Sequence, residues 1–205
     1  MTESNTILDL DPPARQLMTL LDGVTDDQLP ARTPCVAYTV GDLLDHLMGL
    51  TIAFRNAAAK STGAAASDEG VPAPAAGPGV VSAANLHPEW RRRLPMQLDE
   101  LVAAWRDPDA WEGTTAAGGV SLPAAVAGRV AMNELVIHGW DLARATGRPF
   151  ECDPHSTEAS FALLSQSADE EGGEGLFGPV VEVPADAPLL DRAVGLSGRY
   201  PSWMP

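Results

Sequence analysis

Leucine and other large apolar residues recur at helical spacing in several stretches of the chain, and proline or glycine marks the breaks between them. Asp11 before Pro12 predicts the start of a first helix, with the Asp11 side chain as cap and Pro12 in the first helical position. Leu17, Leu20 and Leu21 then face a core, and Gly23 marks the end. Pro30 and Pro34 make the segment from Thr25 to Tyr38 a loop. Thr39, with Asp42 three positions later, has the spacing of a capping box and opens a second helix. Its apolar stripe is Leu43, Leu44, Leu47, Leu50 and Phe54.

Residues 61–80 hold Ala, Gly, Ser and Pro with almost no large apolar side chain. They have too little surface to bury, and a mobile loop is expected there. A third helix is expected over about residues 86–106, carrying Trp90, Leu94, Leu98, Leu101 and Trp105 on one side. Pro95 is expected to kink or restart it, and Pro108 to close it. From Trp111 to Val120 the chain is rich in Gly and Thr and has no helical period. Ser121 as cap, with Pro123 two positions on, predicts a long fourth helix that ends at Gly147. Asp153 and Pro154 start a shorter helix to about Ser167, the acidic run Asp169 to Gly175 is a loop, and the remainder holds a short strand and a last helix. Strand and helix do not alternate, so the predicted class is mainly all-α. It is a four-helix bundle over residues 1–168 with a small C-terminal extension over 169–205 packed on it.

With 205 residues and 45% hydrophobic content, the chain suits one domain with its own core. A net charge of -15 repels nucleic acid and anionic membrane surfaces, so neither is an expected partner. Arg91, Arg92 and Arg93, the sole basic cluster, read as a solvated helix face. No apolar run approaches the roughly 20 residues that span a bilayer. The opening Met-Thr-Glu-Ser-Asn has neither the basic start nor the apolar stretch of a signal peptide, and a cytoplasmic location is expected. Cys35 and Cys152 are then expected as free thiols. A homodimer is the default assembly, although no apolar seam identifies an interface.

The chemistry lies on the second and fourth helices. Glu134 and His138 are four positions apart, so they leave one helix face a turn apart, and His46 sits beside the apolar stripe of the second helix. Two imidazoles and a carboxylate suit zinc, nickel, iron(II), manganese or cobalt, and three protein ligands leave positions open for water or substrate. The plainer reading stands beside it: a hydrogen-bonded core histidine and an ordinary helical Glu-His pair.

Thr33-Pro34-Cys35, Val40-Gly41-Asp42-Leu43-Leu44-Asp45-His46 and Asn133-Glu134-Leu135-Val136-Ile137-His138-Gly139-Trp140-Asp141 resemble the metal-binding domain of mycothiol-dependent maleylpyruvate isomerases and of their shorter actinobacterial relatives. The segments Phe177-Gly178-Pro179-Val180 and Gly198-Arg199-Tyr200-Pro201-Ser202-Trp203 resemble the C-terminal part of those relatives. The resemblance implies a DinB-like four-helix bundle holding a divalent metal, zinc first, through His46, Glu134 and His138. It implies an enzyme that uses a low-molecular-weight thiol, mycothiol, as cosubstrate for transfer to, or isomerisation of, a small electrophile. A hydrolase with a metal-activated water and a non-catalytic binding protein are the alternatives. The isomerase proper is expected to carry a separate C-terminal domain that 205 residues do not accommodate, which makes maleylpyruvate itself a poor expectation as substrate. Tyr38 stands where these relatives commonly carry Trp, a change expected to affect packing alone.

Asp45 and Asp141 are expected as exposed carboxylates rather than supports for an imidazole, and Cys35 as a buried thiol rather than a ligand or nucleophile. His87 and His155 read as surface residues, and Trp90, Trp105, Trp111 and Trp140 as core or pocket-wall aromatics.

Overall fold

The structure, a computed structural model, describes residues 7–61, 81–171 and 179–205. Helices α1 (Asp11–Leu21), α2 (Val40–Ala58), α3 (Trp90–Trp105) and α4 (Ala124–Ala145) enclose the core, with α1 and α2 each packed against both α3 and α4. Helix α5 (Pro154–Glu171) lies on α4, and α6 (Leu189–Leu196) lies on α5. Leu17, Leu43, Leu44, Leu47, Leu94, Leu98, Leu101, Leu135 and Val136 are fully buried between the helices, as the spacing of the apolar positions requires.

The ends of the helices show how local chemistry sets the frame. Thr39 caps α2 through a capping box: its backbone N–H donates to Asp42 Oδ2 at 2.8 Å, and its hydroxyl accepts from the Asp42 N–H at 3.3 Å. Asp11 does not cap α1. It is the first helical residue, Leu10 is the N-cap, and Asp9 takes the Asp11 N–H at 3.0 Å. At α3 the helix runs unbroken through Pro95, which sits near its first turns. Helix α5 continues past the expected stop near Ser167 to Glu171, and its Asp153 start is as expected, with Asp153 Oδ1 accepting the Ser156 N–H at 3.0 Å. The expected loop over 61–80 lies outside the described residues except for Ser61.

The segment before α4 differs from expectation. Ser121 caps no helix; it lies in a β-hairpin of β1 (Thr114–Ala117) and β2 (Val120–Pro123), paired with Ala116. The turn is Gly118-Gly119, both with positive φ (58° and 82°), as a two-residue hairpin loop demands. Thr115 donates its hydroxyl hydrogen to the Ala57 carbonyl at 2.6 Å, so the hairpin satisfies an end carbonyl of α2. Behind it Trp105 and Trp111 meet edge to face at 5.0 Å, with Trp111 Nε1 donating to the Trp105 carbonyl at 2.8 Å. Gly128 of α4 lets these rings approach closely: a Cβ there would lie 2.5 Å from Trp111.

No strand is formed in the described part of residues 179–205, where the Val181 N–H donates to the Gly195 carbonyl at 2.9 Å in place of a sheet. The cluster at residues 91–93 is a surface one in part: Arg91 pairs with Asp26 and Arg92 with Glu89.

Candidate metal centre

His46 lies in the second turn of α2, and Glu134 and His138 lie one turn apart on α4, which packs against α2. The fold brings the three together: His46 Nε2 is 3.3 Å and His138 Nε2 3.1 Å from the same oxygen, Glu134 Oε2. One ligand atom from each residue lies within 4.8 Å of the others, close enough to share one ion.

The back of the site is built from residues that sequence spacing did not single out. Asp141 is fully buried, against the expectation of a solvated carboxylate. It is held there because His138 Nδ1 donates to its Oδ2 at 2.9 Å while Arg199 donates to both its oxygens, from Nη2 at 3.2 Å and from Nε at 3.4 Å. Both carboxylates only accept, so in the metal-free protein Nδ1 donates to Asp141 and Nε2 to Glu134, and an ion would displace the Nε2 hydrogen while Nδ1–H stays on Asp141. Such an arrangement would serve as the outer support of an imidazole that binds a metal. Arg199 is itself 7% exposed, and its Nη1 donates to the Ser197 carbonyl at 2.6 Å. A short-range pattern could flag Asp141, which is at i+3 from His138, but nothing local announces a partner 58 positions away. Asp45, by contrast, accepts the Ser82 N–H at 3.1 Å and plays no part among the donors.

The charges follow from this packing. Burial alone would lower the His138 pKa, but hydrogen bonds to Asp141 and Glu134 outweigh it and raise it to about 9. Burial pushes Glu134 up, and the hydrogen bonds and charges of His138 and His46 more than reverse this, holding it well below the ordinary carboxylate range. The hydrogen that His138 donates toward ionised Glu134 thus sits where an ion would compete with it.

Tyr38 packs beside the two imidazoles. Its ring centroid is 5.2 Å from that of His46 and 6.3 Å from that of His138. Its N–H donates to the Cys35 carbonyl at 2.9 Å, and its carbonyl accepts from the Thr33 hydroxyl at 2.8 Å, so the loop holds it from both sides. The residue expected to affect packing thus packs beside the candidate site. Cys35 and Cys152 are both free, and neither is fully buried. Burial raises the Cys35 thiol, partly countered by Arg199, which keeps it protonated at neutral pH. His155 is exposed, and His87 accepts the Glu89 N–H at 3.0 Å near the start of α3. Trp90, Trp105, Trp111 and Trp140 are buried in the core.

A family model described as the mycothiol maleylpyruvate isomerase N-terminal domain matches residues 10–143. Uncharacterized proteins from two strains of Mycobacterium tuberculosis are each 28% identical over 193 residues, covering 88% of this chain and 90% of theirs. A crystal structure of a mycothiol-dependent maleylpyruvate isomerase superposes with a TM-score of 0.63 at 18% identity, over 94% of this chain and 88% of that one. A histidine-to-alanine variant gives a TM-score of 0.57 at 16% identity, over 93% and 86%. The mainly helical, DinB-like fold of these structures is the fold of this chain.

Proposed function

The chain belongs to the mycothiol maleylpyruvate isomerase N-terminal domain family, and on that premise we propose that it is a metal-dependent enzyme using a mycothiol-type thiol on a small electrophile. The observation that carries the reading is the convergence of His46, Glu134 and His138 within 4.8 Å, with His138 fixed from behind by Asp141. Two imidazole nitrogens and a carboxylate oxygen suit a borderline divalent ion, zinc first, with nickel, iron, manganese and cobalt as the other candidates.

A bound ion would supply the charge that keeps a thiol sulfur ionised at neutral pH, with positions left over beside the three donors. The protein supplies the rest. His46 and Glu134 set the spacing of the donors from two different helices, so the site exists only in the folded chain. Asp141 keeps the hydrogen of His138 on Nδ1 and leaves Nε2 as the donor. The Tyr38 ring stands beside both imidazoles, an aromatic neighbour for whatever enters there. Cys35, protonated at neutral pH, is a poor nucleophile, which favours a thiol from outside the chain.

The test is metal content by mass spectrometry on protein purified without a metal-affinity tag, for the wild type and for His46→Ala, Glu134→Ala and His138→Ala. Near one equivalent is expected in the wild type and its loss in each variant, followed by metal-dependent consumption of mycothiol with an electrophile. Turnover that proceeds equally without thiol would point to an activated water instead. Failure of zinc and nickel to bind the wild type would end the metalloenzyme reading.

A further inference from the structure

Two interactions tie the segment after α6 to the second half of α4, and they lie one helical turn apart. Asp141 and Arg144 are three positions apart on α4, so their side chains leave the same face. Asp141 accepts from Arg199 Nη2 at 3.2 Å and from Arg199 Nε at 3.4 Å. Arg144 turns its own guanidinium to the same segment: its Nε donates to the Trp203 carbonyl at 3.1 Å, and its Nη2 donates to that oxygen as well. Residues 199 and 203 are thus held by residues 141 and 144, and the segment runs along α4 in the direction of the helix.

Arg199 is also aimed from upstream. Helix α6 ends in a turn at Gly198, with φ 78°, where the Gly198 N–H donates to the Gly195 carbonyl at 3.0 Å and the Arg199 N–H to the Val194 carbonyl at 3.1 Å. Downstream, the Trp203 N–H donates to the Tyr200 carbonyl at 2.9 Å, and Trp203 packs partly buried against the core. The carbonyl that Arg144 takes is therefore presented by an ordered turn.

A basic residue in the last turn of a helix is ordinarily accounted for by the helix dipole. The packing of Arg144 is more specific than that. Its two donors converge on one oxygen 59 positions away, while its guanidinium carbon lies 5.8 Å from the centre of the buried Trp140 ring. Without this fork the Trp203 carbonyl returns to water and the segment after Gly198 can lift. Arg199 would then leave Asp141 for part of the time, and the acceptor of His138 Nδ1 would no longer be fixed.

We infer that Arg144 is a positioning residue for the metal centre: by holding the Trp203 carbonyl it keeps Arg199 on Asp141, and through Asp141 it keeps the His138 ring in place. It rests on the reading that an ion is held by His46, Glu134 and His138.

Zinc affinity, measured by calorimetric titration of the metal-free protein in competition with a chelator, separates the two. Arg144→Gln should weaken zinc about three- to tenfold, less than the 10–100-fold typical of a direct neighbour of a ligand. Trp203→Ala, which unseats the same carbonyl, should weaken it to a similar extent, and the pair of substitutions should go no more than about twofold beyond either alone, since both break one link. In the Asp141→Asn background Arg144→Gln should change the affinity by less than about twofold, because its route to His138 is already cut. Melts of each metal-free variant check that it is folded; if Arg144→Gln does not fold, Trp203→Ala takes its place in the same comparison. Unchanged zinc affinity in Arg144→Gln, or a loss that persists in full in the Asp141→Asn background, overturns the positioning role and leaves the metal reading intact. A wild type that takes up no zinc removes both.

Discussion

Replacing Asp141 by Asn keeps the shape of the side chain and removes its charge, which tests whether the buried Arg199–Asp141–His138 chain organises the site. Asp141 has no exposed surface and accepts from Arg199 at 3.2 and 3.4 Å and from His138 at 2.9 Å. In the variant Arg199, 7% exposed, keeps its charge without a counter-ion. Breaking one partner of such a pair costs about 3–5 kcal/mol. For a domain of this length about 2–4 °C is lost per kcal/mol, so the melting temperature should fall by about 6–20 °C. Calorimetry on metal-free protein reads this directly. The combination Asp141→Asn with Arg199→Met removes the orphaned charge and should recover most of the loss, ending within about 2 kcal/mol of wild type. Zinc affinity should behave differently: it should fall about 10–100-fold in both variants, because His138 has lost its fixed acceptor in each. A single variant within about 1 kcal/mol of wild type, or a double variant as unstable as the single, would refute the account.

Two further outcomes follow from the same structure. His138 has a folded-state pKa of about 9 against an ordinary 6.5, so it stabilises the metal-free protein fully below about pH 6.5 and loses that contribution as pH rises to about 9. Melts of the metal-free protein between pH 7 and 9 should show the decline, while zinc affinity by calorimetric titration should rise about tenfold per pH unit over the same range, since the ion displaces a proton; a pH-independent affinity would contradict the assignment. Gly128→Ala would put a Cβ 2.5 Å from Trp111 and 2.9 Å from Trp105, rigid buried rings. Overpacking of about 1–3 kcal/mol against a helix-propensity gain of about 1 kcal/mol leaves a net loss of up to about 2 kcal/mol, read by urea denaturation with metal content unchanged.

Much of the frame was legible because it is written locally. The stripe Leu43, Leu44, Leu47, Leu50 and Phe54 is buried as its spacing requires, and Thr39 with Asp42 forms the capping box that their separation of three implies. The pairing of Glu134 with His138 followed from the helical repeat, and their meeting with His46 follows from the packing of α2 on α4. The hairpin was missed because Thr114-Thr115-Ala116-Ala117 has little apolar alternation. The cue was Gly118-Gly119, a pair suited to the positive φ values of a two-residue turn. Asp141 was misjudged for a different reason. A carboxylate near a helix end is ordinarily solvated, and what buries this one is an arginine contributed by a distant segment. Tyr38 shows the same limit: its sequence position places it before α2, while its meeting with two imidazoles depends on how the Thr33–Tyr38 loop folds back.

Arg199 also sets an order of events during synthesis. The helices that carry His46, Glu134 and His138 are complete by Ala145, yet the guanidinium that neutralises Asp141 is translated 58 residues after it. At about 5–20 residues per second, the nascent bundle spends about 3–12 s with Asp141 lacking its cation. During that interval the back of His138 is open to water, and an ion that reached the donors early would meet a looser site than the one it finds once Arg199 has docked.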